Sequence, residues 1–355
     1  MNGATDHDRR WLDSAVRFAR PYLGTTHGNP LAAALVVDTP EGRVLGRAVT
    51  TADGVSAATA AVAQARGVAA GRTLVTTLEP DPEPVLEAGI ARVVVGALDP
   101  DPSRRGQGVG ALERAGLEVV RAEHGSSREL LAPFTSRILR GRPFVTLRLA
   151  VSRDGMIART GGASVTIMGK RAYRWAHLQR ALSDAVMIGA RTAELDDSRL
   201  DVELKGFGDR GYARVVALGK NPLRSKLGLA AQPSGRPVYV LAEEGRDVEF
   251  APPVEVVRVP GRNGRPDLRQ ALTELASRGV AALLVEGGAK LTEAMIAAEL
   301  VDRLHLIQST VEIGRGGLPA TPLGRIEGRL HAAGLTEVET MLLGDDQLRT
   351  FEPRL

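Results

Sequence analysis

The chain has 355 residues, enough for two ordinary domains that each bury a core. It contains no cysteine, which excludes disulfide frameworks, thiolate zinc sites, iron–sulfur clusters and cysteine nucleophiles together. Its 46 basic and 42 acidic residues leave a net charge of only +4, spread along the chain, and aromatics make up 3%, so nucleic acid is not expected as a partner.

The opening "MNGATDHDRRWLDSAVRFARPYLG" is too charged for a signal peptide, and no apolar run approaches the roughly 20 residues that span a bilayer. The expectation is a soluble, cytoplasmic protein without a membrane partner. Apolar residues at helical spacing predict a helix over Trp11–Leu23, and "HGNP" leads into a hairpin, "LAAALVVDTPEGRVLGRAVT". Then come a helix in "AATAAVAQARGVAAG", strand "TLVTTLE", helix "PVLEAGI", strand "ARVVVGALD" and one helix-like stretch, "SRELLAPFTSRILRG". Strands alternating with helices define a layered α/β domain. Pro143 opens a new strand, "FVTLRLAVS", so the domains are placed at 1–140 and 141–355.

The second part repeats the pattern. "RAYRWAHLQRALSDAVMIGARTA" runs helix into strand, "YARVVALG" and "RPVYVLAEE" are strands, and "LRQALTELASRGVAALLVEGGAKLTEAMIAAELVDRLHLIQSTV" gives helix, strand, helix, strand. Such an order implies a parallel sheet, with ligands at the C-terminal ends of its strands.

Three clusters fall at predicted strand ends. The first is Glu286-Gly287-Gly288, where glycines let an anion approach the amides of a helix N-terminus and a carboxylate ends an apolar strand. The second is Ser152, Asp154 and Gly155, which a tight turn would also explain. The third is Thr192, Asp196 and Asp197, where a helix cap is the plain alternative.

"RPFVTLRLAVSRDGMIA", "LQRALSDAVMIGARTAELDDSRL" and "LLVEGGAKLTEAMI" resemble the reductase half of the bifunctional riboflavin-pathway pyrimidine deaminase/reductase family. "HGNPLAAALVV", "TLEP", "AGIARVVVGALDPDP" and "GVGALERAGLEVV" resemble its deaminase half, in the same order. The resemblance implies two α/β domains. The first is a cytidine-deaminase-like three-layer α/β/α unit in degenerate form. The second is a dihydrofolate-reductase-like unit with a mostly parallel central sheet that uses NADPH and forms a homodimer. In this family a histidine, a glutamate and two cysteines make the deaminase zinc site. Here Ser56 stands for the histidine, Ala58 for the glutamate and Asp81 for the first cysteine, so no zinc and no deaminase activity are expected. A new oxygen-ligand site from His27, Asp81 and Glu83 is disfavoured against a solvated turn.

For the reductase, the resemblance implies that Ala150, Thr192, Asp196 and the turn Gly287, Gly288, Ala289 and Leu291 contact NADPH. Ser164, Arg180, Leu200 and Glu286 would contact a phosphorylated ribosylaminopyrimidine, with Glu286, Asp196 and Arg148 catalytic. Lys220 and Arg224 are candidates for the cofactor 2′-phosphate. Arg148 stands where the family has lysine, Thr166 where it has tryptophan, Leu218-Gly219 where Asp-Ser is usual, and Glu203 where arginine is expected. Lys205, with Arg180, is the candidate to restore that charge. A reductase of a related pyrimidine or pterin-like compound and a non-catalytic scaffold remain the other readings.

Overall fold

The computed structural model describes the chain except for residues 1–2, 40–41, 161–164, 196–198, 208–209, 222, 224–227, 231–236, 249 and 355. It divides into two compact units, Met1–Gly141 and Arg142–Leu355.

In the first unit, α1 spans Asp6–Ala19 and begins before the apolar periodicity does. Thr5 explains this: its hydroxyl accepts the Asp8 N–H while the Asp8 carboxylate accepts the Thr5 N–H, a reciprocal cap. Pro21 then confines the remainder to a single 3₁₀ turn, Arg20–Tyr22. The order continues β1 (Ala33–Asp38), β2 (Arg43–Val49), α2 (Ala57–Gln64), β3 (Thr73–Thr76), α3 (Pro82–Glu87), β4 (Arg92–Val95), α4 (Gln107–Arg114) and β5 (Glu118–Arg121). The stretch read as one helix is two, α5 (Gly125–Leu130) and α6 (Ala132–Arg140), because Pro133 cannot continue the first.

The sheet order is β2-β1-β3-β4-β5, with β1 antiparallel to both neighbours and β3, β4 and β5 parallel. Alternation in β1 sends Ala34 and Val36 to the core shared with α2, and Leu35 and Val37 to the core shared with α1. The result is three layers.

The second unit contains β6 (Phe144–Val151), β7 (Met156–Arg159), α7 (Lys170–Ala181), β8 (Ala185–Gly189), α8 (Ala190–Leu195), β9 (Ala213–Ala217), β10 (Val238–Glu243) and β11 (Val254–Val259). There follow β12 (Gly261–Arg262), β13 (Arg265–Pro266), α9 (Leu268–Ser277), β14 (Ala282–Glu286), α10 (Ala289–Ala297) and β15 (Arg303–Gln308). The chain ends with β16 (Gly317–Pro319), α11 (Ile326–Ala332), β17 (Leu335–Leu343) and β18 (Asp346–Pro353).

The large sheet runs β11-β10-β9-β8-β14-β6-β15-β18-β17. Every pairing from β11 to β15 is parallel, and the β17–β18 hairpin adds two antiparallel strands. Val145, Leu147 and Leu149 of β6 join Met187, Val215, Leu283 and Val285 in the main core. The opposite face carries two smaller apolar clusters, one around Val186, Val216, Val240 and Leu284, the other around Ala172, Ile307 and Leu348. Both faces are covered, as a parallel sheet requires.

Candidate functional site

On the face opposite the main core, a polar row crosses three parallel strands and one antiparallel neighbour. Glu286 of β14 is in register with Arg148 of β6, Arg148 with His305 of β15, and His305 with Thr350 of β18. Register partners share a face, so sequence positions far apart converge. All four residues are buried.

Helix α7 completes the cluster. Arg180 grips Glu286 with both prongs, Nε to Oε1 and Nη2 to Oε2, each at 2.7 Å. Arg148 Nη2 lies 3.1 Å from the same Oε2. Burial alone pushes the Glu286 carboxyl upward. The guanidinium groups of Arg148 and Arg180 more than reverse this and hold it at about 2. The site therefore presents a fixed carboxylate flanked by two permanent cations.

The same helix reaches the segment after α8. Arg180 Nη1 donates to the Asp201 carbonyl at 3.0 Å, the Glu203 N–H donates to His177 Nδ1 at 3.0 Å, and the Tyr173 hydroxyl donates to Glu203 Oε2 at 3.0 Å. From β9, Arg214 Nε donates to the Arg199 carbonyl at 2.9 Å, and the hydroxyl of Tyr212, the residue before β9, donates to the Leu200 carbonyl. Burial, the largest influence, and Arg180 both push His177 downward, which keeps Nδ1 free to accept.

At the end of β14, Gly287 and Gly288 lead into α10, whose first turn has no side-chain cap. A Cβ on Gly287 would stand 2.6 Å from Thr292 Oγ1, and one on Gly288 would stand 3.5 Å from Thr192 Oγ1. Glycine at 287 is thus a packing requirement. Gly288, Ala289 and Thr192 remain partly exposed beside the uncapped amides, and buried Thr292 Oγ1 has no hydrogen-bond partner. Leu291 packs beneath against Gly189. Ala150, two residues beyond Arg148 on the same face, is partly buried. Beyond β9, Lys220 lines a cleft of about 470 Å³ with Asn263, Gly264 and Arg265.

The structure brings Arg148, Arg180 and Glu286 together and sets Thr192 against the Gly288 turn. Ser164, Asp196, Asp197 and Arg224 lie outside the described residues. Leu200 is buried in an apolar cluster with its carbonyl already bonded, and its positive φ of 55° turns the chain there. Lys205 is exposed. Arg180 directs three of its five N–H donors at Glu286 and the Asp201 carbonyl. Asp154 is a brace: it accepts the Ser152 hydroxyl at 2.6 Å and the Ile313 and Gly314 N–H groups at 3.1 and 2.9 Å.

Sequence reasoning missed Tyr173, His177 and His305. The first two had a readable signal, because with Arg180 they recur at spacings of four and three on one helix face. His305 had only its place in a strand. It lies 5.0 Å edge-to-face from Trp175, and burial, then Arg303 and Arg148, press it down to about 3.

In the first unit, Ser56 caps α2, its hydroxyl accepting the Thr59 N–H at 3.2 Å, and Ala58 is buried in the core. Asp81 pairs with Arg104 at 3.1 Å. Glu79, the acid of "TLEP", accepts the N–H groups of Asp99, Gly106 and Val109 at 3.0, 2.8 and 3.1 Å and so fastens the following loop. His124 sits between Ser127 Oγ (2.9 Å) and Asp13 Oδ1 (3.1 Å), an order suggestive of a hydrolase. Ser127 is wholly buried, and a Cβ on Gly96 would lie 2.3 Å from its hydroxyl, so no substrate carbonyl reaches it.

Two α/β units, the second a largely parallel sheet with a buried charge cluster beside a glycine turn at its strand ends, define a reductase-like two-domain chain. Sequence comparison is consistent with this: the RibD C-terminal domain matches residues 143–344. The riboflavin biosynthesis protein RibD of Aquifex aeolicus (strain VF5) is 30% identical over 87% of this chain and 88% of its own. That of Corynebacterium ammoniagenes is 31% identical over 82% and 83%. Among solved structures, a diaminohydroxyphosphoribosylaminopyrimidine deaminase/5-amino-6-(5-phosphoribosylamino)uracil reductase from Thermotoga maritima superposes with a TM-score of 0.83 at 26% identity, covering 98% of this chain and 99% of that one. The chain belongs to the RibD family.

Proposed function

We propose that the chain is an NADPH-dependent reductase of a ribosylaminopyrimidine in riboflavin biosynthesis, and that its first unit has lost deaminase activity. The observation that carries the reductase reading is the Arg148–Glu286–Arg180 cluster, one residue before the Gly287-Gly288 turn. The uncapped amides of α10 suit a cofactor pyrophosphate, with Thr192 and Ala150 alongside, and Lys220, which lines a cleft with Asn263, Gly264 and Arg265, is the cation assigned here to the 2′-phosphate. When bound, NADPH would supply the hydride that reduces the sugar C1 of the open-chain imine, whose nitrogen takes its proton from solvent. Glu286, kept ionised, offers a carboxylate to sugar hydroxyls and to the cationic character that develops at the imine. Arg148 supplies charge and orientation, but it releases no proton at neutral pH.

The loss of deaminase activity rests on Ser56, Ala58 and Asp81. One is spent on a helix cap, one is a core methyl, and one pairs with Arg104. Among the described residues no group of three or more histidine or acidic side chains is placed to hold a metal ion. The test is NADPH oxidation with the ribosylaminopyrimidine, beside metal analysis and ammonia release from its diamino precursor. Reduction without zinc or ammonia is the expected result. Stoichiometric zinc or ammonia release refutes the lost deaminase, and failure to bind NADPH refutes the reductase.

A further inference from the structure

Of the two arginines on Glu286, Arg148 is the less firmly held. Arg180 grips the carboxylate with two contacts of 2.7 Å and adds the Asp201 carbonyl, whereas Arg148 makes one contact of 3.1 Å. The Arg148 Nε is buried without a hydrogen-bond partner, and Nη1 donates to the Met168 sulfur at 3.6 Å. A thioether is a weak acceptor, so the second anchor of this buried cation is a feeble one.

Met168 is placed by its backbone, one residue before Gly169, the N-cap of α7, whose N–H donates to Asp346 Oδ2 at 2.7 Å. Its side chain is partly buried and packs on the cluster of Ala172, Ile307 and Leu348, which Ala150 and Trp175 also border. One side chain thus touches both a cation of the site and the apolar patch beside it. The chain has no cysteine, so methionine carries all of its sulfur. Met187 and Met295 are fully buried, and Met341 is exposed on the edge strand β17. Of the described methionines, Met168 alone is both partly open to solvent and hydrogen-bonded to an arginine of the site.

We propose that Met168 is a reversible oxidation site through which a hydroperoxide disables Arg148. With hydrogen peroxide, the sulfur lone pair attacks one oxygen, the O–O bond breaks, and the departing hydroxide takes the proton of the transferred oxygen and leaves as water. The thioether is oxidised to the sulfoxide as the peroxide is reduced. The new oxygen is a far stronger acceptor in the same place, so it draws the guanidinium towards itself and away from Glu286, and it sets a polar group against Ile307 and Leu348. Arg180 still holds Glu286, so the fold survives while the site loses the orientation of its other cation. The effect on turnover rests on the reductase reading; the oxidation and its reversal do not.

The experiment treats the full chain with hydrogen peroxide and follows each methionine by peptide mass spectrometry. NADPH oxidation with the ribosylaminopyrimidine is measured before treatment, after it, and after repair by methionine sulfoxide reductase with a thiol. Wild type is expected to lose about tenfold in kcat/KM, the worth of one hydrogen bond to a charged group, in proportion to sulfoxide at Met168, and to regain it on repair. Met168→Leu, measured against its own starting activity, should resist the treatment, while Met341→Leu should stay sensitive. In the Trp11→Phe chain Trp175 is the only tryptophan, so its emission reports on the cluster and should shift with oxidation and return on repair. Met168 that stays reduced while Met341 oxidises overturns the proposal, as does sulfoxide at Met168 without loss of activity, or equal inactivation of Met168→Leu. If the chain turns over no ribosylaminopyrimidine, the reductase reading falls and the emission decides: a shift reversed by repair sustains the oxidation site, and a constant emission overturns it.

Discussion

Replacing Glu286 by glutamine tests whether the charge cluster is also part of the fold. Glutamine keeps the shape but removes the carboxylate that Arg148 and Arg180 share, leaving two buried guanidinium groups without it. Removing one member of a buried pair costs about 3–5 kcal/mol. The fall of the Glu286 pKa from 4.5 to about 2 corresponds to about 3 kcal/mol by a separate route. In a domain of this size each kcal/mol shifts the melting temperature by roughly 2–4 °C, so Glu286→Gln should lower it by roughly 6–20 °C. Thermal unfolding followed by circular dichroism at neutral pH measures this, with NADPH affinity determined at a temperature where the variant is folded. The sign with pH follows from the depressed value. The stabilisation is complete above about 4.5 and is lost as pH falls towards 2, so the gap between wild type and variant should close over that window. A variant that melts within about 2 °C of wild type would refute the reasoning, because the two arginines would then be satisfied without the carboxylate.

The glycine turn gives a second pair of expectations. Gly287→Ala drives a methyl against Thr292 Oγ1 and should cost roughly 1–3 kcal/mol, partly recovered in the double variant with Thr292→Ala; no recovery would locate the clash elsewhere. Thr292→Val removes a buried hydroxyl that has no partner and should be neutral or stabilise by about 1 kcal/mol, whereas a clear loss in calorimetry would mean that the hydroxyl is bonded. Lys220→Ala should weaken NADPH about tenfold and leave NADH unchanged in fluorescence titration; equal losses for both would remove Lys220 from the 2′-phosphate.

Much of the architecture was readable because parallel strands buried on both faces announce themselves as apolar runs, as in "AALLVEGG" and "DAVMIG". The strands β17 and β18 were not, since "LTEVETMLL" is an edge strand with charges on its exposed positions and a bulge between Glu337 and Glu339 that breaks the alternation. Glu286 was legible as a costly acid at a strand end, but its partners were not, because register pairs Glu286 with a residue 138 positions earlier in sequence. Arg180 looked like an ordinary helix arginine until α7 was placed against the sheet. The anchoring of Glu203 could not be read at all, since it depends on a backbone N–H meeting a histidine ring.

The row Glu286–Arg148–His305–Thr350 has a consequence for assembly of the chain itself. Apolar strands of similar composition are poor at telling one alignment from its neighbour, yet a slip by one residue would turn Arg148 into the packing of Leu147 and Leu149 with no counter-ion in reach. That error would cost several kcal/mol, while the correct alignment satisfies Arg148 and Glu286 at one stroke. The charges that shape the site thus also act as a proofreading device for the central strands, rejecting misaligned sheets during folding.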